Sequence, residues 1–354
     1  MEWLKSRPIF WQNGLIESIG IPRIIIAGFL VFLFVLAVVL KMDLTFLISD
    51  SLVRIGMNGL LVLAMVPTIT CGAGLNFALP VGILCGLVGG VVSMSLNLRG
   101  WVGFGTAALL GIVLAWILGY VYALLLDKVQ GQEMMVGTYV GFSMVAGMCI
   151  FWLAAPIKNP AMVFAIGGQG LRYTLTLENY YSKLLNHFLE IKLWGITIPT
   201  GLLMFFGLGC ALMHFFLKTR DGRAMAAAGS NPLFAKSSGV NLNAMRHLGV
   251  VISTVLGAIG ILAYAQSYGF LQLYTAPLYM AFPAVASILI GGASLQKASI
   301  SQVVIGTILF QTLLTIALPV TQTVLSGADV SEIARMIISN GMILYALTRG
   351  ERRR

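Results

Sequence analysis

The side chains that could carry acid–base chemistry are few, and none is spaced to do it. There are twelve carboxylates: Glu2, Glu17, Asp43, Asp50, Asp127, Glu133, Glu178, Glu190, Asp221, Asp329, Glu332 and Glu351. Each falls in a polar stretch, a tail or the end of an apolar run. Proton-coupled and many sodium-coupled carriers keep an ionisable group inside the membrane, where it binds the coupling ion. None of the twelve is so placed, so any transport must draw its energy elsewhere; sodium sites built from carbonyls and hydroxyls stay open. The run Gly291-Gly292-Ala293-Ser294-Leu295-Gln296-Lys297 lacks the second glycine of a phosphate-binding loop and abuts an apolar run rather than a strand. His187, His214 and His247 are scattered and read as interfacial polar residues rather than ligands. Cys71, Cys85, Cys149 and Cys210 lie in apolar runs without metal-ligand spacing and read as small packing residues. No catalytic or metal centre emerges, although a membrane enzyme could still assemble one from residues distant in sequence.

The polar residues concentrate instead in one island, from Lys218-Thr219-Arg220-Asp221-Gly222-Arg223 through Ala224-Met225-Ala226-Ala227-Ala228-Gly229-Ser230-Asn231-Pro232 to Gly239-Val240-Asn241. Asp221 can cap a helix with an alanine-rich body, and Gly229 suits a left-handed stop. Asn231 can cap a second helix with Pro232 at its first position, ending at Gly239. A basic, capped helix–turn–helix between apolar spans reads as a docking element for a separate soluble motor, or more plainly as a connector between spans.

Those spans dominate the chain. Of 354 residues 58% are hydrophobic and 10% charged, with a mean hydropathy of +0.93, a composition suited to lipid rather than water. The fold class expected is an all-α integral membrane protein, one polytopic domain over 1–354. About ten transmembrane helices are predicted: Ile24–Leu40, Leu52–Thr70, Asn76–Leu96, Trp101–Leu126, Met134–Ala155, Ile196–Leu217, Met245–Gln266, Tyr279–Leu295, Ser301–Leu318 and Ile333–Leu347. Segment 1–23, with Trp3, Phe10 and Trp11 among basic residues, is expected to be cytoplasmic or to lie in the interface. Segment 156–195 is expected outside, with a short helix near Glu178–Lys183, and loop 218–244 inside. The net charge of +10 comes from Lys5, Arg7, Arg23, Lys128, Lys218, Arg220, Arg223, Lys236, Arg246, Lys297, Arg349 and Arg352 to Arg354, all on one side of this topology. That is the positive-inside bias, not a nucleic-acid surface, and it puts both termini in the cytoplasm.

Two stretches cannot sustain a continuous lipid-facing helix. Thr70-Cys71-Gly72-Ala73-Gly74-Leu75-Asn76-Phe77-Ala78-Leu79-Pro80 carries two glycines, an asparagine and a proline; Tyr274 to Pro283, followed by Gly291-Gly292, carries two prolines. Irregular backbone at membrane depth survives when it is buried in protein or lines a cavity; tight turns at the interface are the other reading. Gly74, Asn76, Phe77, Gln266 and Tyr279 are therefore the candidate path residues.

The segment Gly222-Arg223…Ala227-Ala228-Gly229-Ser230-Asn231-Pro232…Ser238-Gly239-Val240-Asn241 resembles the cytoplasmic signature of one ABC importer permease family, which serves ribose, xylose, galactose, autoinducer-2, nucleosides and branched-chain amino acids. The resemblance continues through Gly74-Leu75-Asn76-Phe77-Ala78, Ala258 to Ala263, Ile290 to Leu295 and Ile305-Gly306-Thr307, and covers most of the chain from Ser49 onward. It implies a fold similar to the vitamin B12-type importer permease and a multi-pass location in the inner (plasma) membrane of a prokaryote. The implied partners are ABC ATPase subunits that bind ATP and Mg, a second permease subunit (a copy or a relative), an extracytoplasmic substrate-binding protein and membrane lipid. The chain itself would hold no cofactor and no metal and would not be an enzyme. Gly222, Arg223, Ala224, Met225, Ala228, Gly229 and Asn231 would form the coupling element, with Ala224, Met225 and Ala228 entering a groove on the ATPase and Met225 as its anchor. The solute implied is a monosaccharide or nucleoside, with branched-chain amino acids as the alternative; a stand-alone secondary carrier is the other function class. Asn76 and Ala78 depart from the aspartate and serine usual in sugar-type relatives, Leu233-Phe234 replaces an alanine pair, and Gln296 to Ser301 replaces a glycine-rich turn.

Overall fold

A computed structural model describes residues 21–129, 131–157, 159–164, 170–325 and 341. Thirteen helices are described: α1 Ile21–Val39, α2 Leu44–Leu63, α3 Met65–Thr70, α4 Leu79–Ser95, α5 Gly100–Asp127, α6 Glu133–Ala154, α7 Leu184–His187, α8 Thr200–Lys218, α9 Arg220–Ser230, α10 Pro232–Ser237, α11 Leu242–Tyr268, α12 Ala276–Ile290 and α13 Ile300–Leu325. Among the described residues, six stretches are long and apolar enough to cross a membrane: Leu44–Thr70, Gly100–Asp127, Glu133–Ala154, Thr200–Lys218, Leu242–Tyr268 and Ile300–Thr323. Ile24–Val39, Leu79–Ser95 and Ala276–Ile290 are shorter apolar helices. Each of the first nine predicted spans overlaps one of these; the tenth, Ile333–Leu347, lies outside the described residues apart from position 341, as do residues 1–20.

The helices sort by burial. In the apolar part of Leu44–Thr70, 78% of an 18-residue run is buried and it passes through the middle of the bundle, whereas in Glu133–Ala154 the share is only 17% and the helix lies at its surface. Close approach is achieved with small residues, as expected where helices gain nothing from hiding apolar surface from lipid. Gly111 of α5 sits over Gly86 of α4, so that a Cβ on Gly111 would lie 3.2 Å from the Gly86 Cα. The α2–α3 boundary at Ala64 follows from Pro67, which has no N–H to donate to the carbonyl one turn back.

Several boundaries differ from the sequence reading. Ile196 does not begin a span: Ile196–Ile198 forms β3, paired antiparallel with β2 Ile191–Leu193, and α8 starts after Pro199. Trp194 and Gly195, both with positive φ, make the two-residue turn that suits such a hairpin. A second pair joins β1 Thr174–Thr176 to β4 Phe270–Gln272, so the fold is mainly, not wholly, helical. The short helix expected at Glu178–Lys183 forms instead at Leu184–His187, because Lys183 adopts a left-handed φ of 52° that no α-helix continues through. At the second predicted break, only Tyr274 and Thr275 are irregular; Pro277 falls in the first turn of α12 and Pro283 lies inside it, so the helix runs unbroken from Ala276 to Ile290 and irregular backbone resumes at Gly291–Gly292.

The candidate functional site: a two-faced loop seated on a broken span

Between α8 and α11 the chain builds two short helices, each fixed by its caps. Thr219 is extended and its Oγ1 accepts the Gly222 N–H at 3.2 Å, so Thr219, not Asp221, caps α9. Asp221 sits in the first turn, where its charge still complements the helix dipole. Asn231 accepts the Phe234 N–H at 3.0 Å and caps α10, and Asn241 accepts the Ala244 N–H at 3.1 Å and caps α11. Gly239, with φ of 79°, makes the turn between them. The loop is therefore held in register with α11 at one end and α8 at the other.

The inward face of α9 is the one with apolar residues at helical spacing. Met225 is fully buried and packs with Cys71, Ala73, Ala78, Val81, Tyr122, Leu126 and Val250. Ala228 is buried beside it, and Ala224 is half-buried. Met225 thus anchors the loop to its own chain and is not exposed to enter a groove on another protein; the periodicity marked a buried face without saying against which body. Gly222 is pressed against Phe216 and Leu217. Gly229 is helical rather than a left-handed stop; its lack of a side chain matters because the Thr70 carbonyl and the Gly72 backbone occupy the space. Gly72 returns the contact, since a Cβ there would lie 3.0 Å from the Gly229 Cα.

The outward face is different. Arg223 and Asn231 are exposed, and so are Leu233, at 84%, and Phe234, at 63%. These two adjacent apolar side chains on α10 were not singled out as site residues from the sequence, although their departure from an alanine pair was visible there.

The stretch beneath the loop is irregular, as read from the sequence. Cys71 to Ala78 is non-helical, with positive φ at Gly72 and Gly74. Asn76 is buried; its Nδ2 donates to Ser253 Oγ at 2.8 Å, and Ser253 donates onward to the Ala64 carbonyl at 2.6 Å. Asn76 Oδ1 has no partner among the described residues. Phe77 stands 6.1 Å from Phe282 of α12 and shares a crevice with Pro80, Thr138, Phe142 and Leu278. The structure therefore gathers Gly74, Asn76 and Phe77 in one place.

The other two path candidates lie apart. Gln266 follows Ser253 by thirteen residues of α11, about 20 Å along the helix at 1.5 Å per residue. It is fully buried and satisfied: Oε1 accepts the Leu185 N–H at 3.1 Å, and Nε2 donates to Asn186 Oδ1 and the Ala263 carbonyl. Its work is to seat α7. Tyr279 is 71% exposed on α12, outside the Phe77 crevice.

No curated protein and no solved structure matches this chain. A protein-family model described as "Branched-chain amino acid transport system / permease component" matches residues 20–347. With so much of its length covered, the chain belongs to this family of ABC-importer permease components.

Proposed function

We propose that this chain forms the translocation path of an ATP-driven importer for a small polar solute, a monosaccharide or nucleoside, in the cell membrane of a prokaryote with both termini in the cytoplasm. It works beside a second permease subunit, in a fold of the vitamin B12 type, and takes solute from an extracytoplasmic binding protein. ATP and Mg are held by separate ATPase subunits, and no step of hydrolysis falls on this chain. The family match supports the transport class; the structural support is the two-faced loop. Its inner face, with Gly222, Met225, Ala228 and Gly229, is locked to the broken span, while Leu233 and Phe234 stand bare in the aqueous loop. Two adjacent exposed apolar side chains on a short surface helix suit a docking surface, and a motor gripping α10 would move α9 and the break together. Arg223 stands at the rim, where a charge orients more than it binds.

At the break, Asn76 Oδ1, buried and without a partner among the described residues, is an acceptor that a polyol hydroxyl can use once the path opens, with Gly74 and Phe77 beside it. The family's description favours branched-chain amino acids as the second reading; uptake of labelled ribose against labelled leucine separates the two. The docking reading is tested by Leu233→Asp with Phe234→Ser. The variant permease is expected to reach the membrane at normal abundance and to lose co-purification with the ATPase. Retention of the ATPase at the wild-type level would remove the docking surface and with it the main structural support for an ATP-driven mechanism.

A further inference from the structure

An ion pair and a histidine–carboxylate hydrogen bond tie the start of α11 to the turn between α5 and α6. Arg246 bonds Glu133, the first residue of α6, and His247 Nε2 lies 2.6 Å from Asp127, the last residue of α5. Consecutive residues on a helix point about 100° apart, so Arg246 and His247 reach one helix each. All four side chains are largely shielded, 13–22% exposed. The His247 ring also meets the edge of Tyr120, with centroids 5.6 Å apart. The α5–α6 turn is thus held to α11 by a polar side-chain contact at both of its ends.

We propose that these two pairs are a clamp that carries displacement of the α9–α10 loop to the α5–α6 hairpin and so to the broken span. The connections are short. Asn241 caps α11 immediately after α10, so a pull on α10 acts on the turns bearing Arg246 and His247. Glu133 precedes Met134, whose side chain comes within 3.5 Å of where a Cβ on Gly74 would stand. Behind the clamp, Tyr122 and Leu126 of α5 pack in the cluster that holds Met225. Shielded ion pairs contribute little net stability but fix which groups must face each other, which suits a joint that has to move as a unit. The four residues are positioning residues: they touch neither solute nor nucleotide. The assignment rests on the reading that α10 docks an ATPase.

The test uses the complex purified with its ATPase, on a background without the four native cysteines. Spin labels at Ser238 in the loop and at Gln132 in the hairpin are each paired with a label at Trp194, at the opposite end of the bundle. Distances are read nucleotide-free and with ATP and vanadate. In the otherwise unaltered complex both pairs are expected to shift. Glu133→Arg or Arg246→Glu should keep the loop shift and reduce the hairpin shift at least threefold, and the double charge swap should restore it. His247→Gln tests the second pair in the same way, and Glu133→Gln replaces the charge reversals should these not assemble. A hairpin shift of full size in the single variants, or no recovery in an assembled swap, overturns the clamp. A loop pair that does not respond to nucleotide in the unaltered complex overturns instead the docking reading on which it rests.

Discussion

Gly229 is where the loop presses hardest on the broken span, and one added methyl group measures that contact. A Cβ there would stand 3.0 Å from the Cys71 carbonyl carbon and 2.8 Å from the Gly72 nitrogen, with the Thr70 carbonyl oxygen nearer still. Carbon atoms in contact rest at about 3.5–4.0 Å, so α9 must withdraw by about 0.5–1 Å. Its obstacles are backbone atoms, which cannot rotate out of the way. Overpacking of this kind costs about 1–3 kcal/mol, while alanine for glycine inside a helix returns about 0.5–1 kcal/mol. The clash wins, with a net loss of up to about 2.5 kcal/mol for Gly229→Ala. Gly105, on α5, has nothing among the described residues within 4 Å of its Cβ position, so Gly105→Ala keeps only the gain. The difference between the two variants isolates the clash, about 1–3 kcal/mol. Unfolding midpoints in a denaturing-detergent titration of the purified permease would read it. If Gly229→Ala proved as stable as Gly105→Ala, α9 would not be seated on the break, and the mechanical link drawn from the loop to Gly72 would fall with it.

Met225→Asp is expected to remove folded permease from the membrane altogether, because it buries a carboxylate among Cys71, Tyr122, Leu126 and Val250; normal abundance on a membrane blot would mean that the side chain faces outward after all. Asn76→Leu should lower uptake while membrane abundance and ATPase association stay unchanged, since Ser253 keeps its bond to the Ala64 carbonyl; undiminished uptake would place the path elsewhere. A cysteine replacing Trp194, 94% exposed on the β2–β3 turn, should react with a membrane-impermeant thiol reagent in intact cells, and one at Ser230 should not; the reverse pattern would invert the topology. Asp43 caps α2, and its bonds from the Thr45 hydroxyl and then the Phe46 N–H hold its carboxyl below the ordinary value. A depressed folded value means that the cap is fully present above the ordinary carboxylate value, about pH 4, and is lost as pH falls through the folded value. Asp43→Asn should therefore flatten the acid limb of a stability–pH profile, and an unchanged limb would show that the cap does not contribute.

The six long apolar helices were legible because lipid imposes one demand, apolar length, that composition states outright. The irregular stretch at Cys71–Ala78 was legible for the same local reason: glycines at positions 72 and 74 supply the positive φ that other residues avoid. The end of the predicted span at Ile196 was misjudged because hydropathy does not distinguish an apolar strand from a helix. There the β-branched run Ile196-Thr197-Ile198 ahead of Pro199 was the better guide.

The loop shows where local reading stops. Helical periodicity found the apolar face of α9 correctly, yet a periodic stripe fits a partner's groove and the molecule's own body equally well. Only tertiary contact tells them apart: Met225 disappears into the cluster under α9, and the bare pair Leu233–Phe234 is left to α10. Gly229 follows the same logic. A glycine near a helix end suggests a stop when only its neighbours in sequence are considered, but its helical conformation and the Thr70–Gly72 backbone against it make it a spacing residue. The ion pairs were invisible for a further reason: Arg246 and Glu133 are 113 residues apart, and each alone is an ordinary charge at the end of a span. What the sequence could not state was adjacency. The proposed clamp rests on that adjacency between loop, turn and broken span, at residues that no charge or hydropathy pattern singles out.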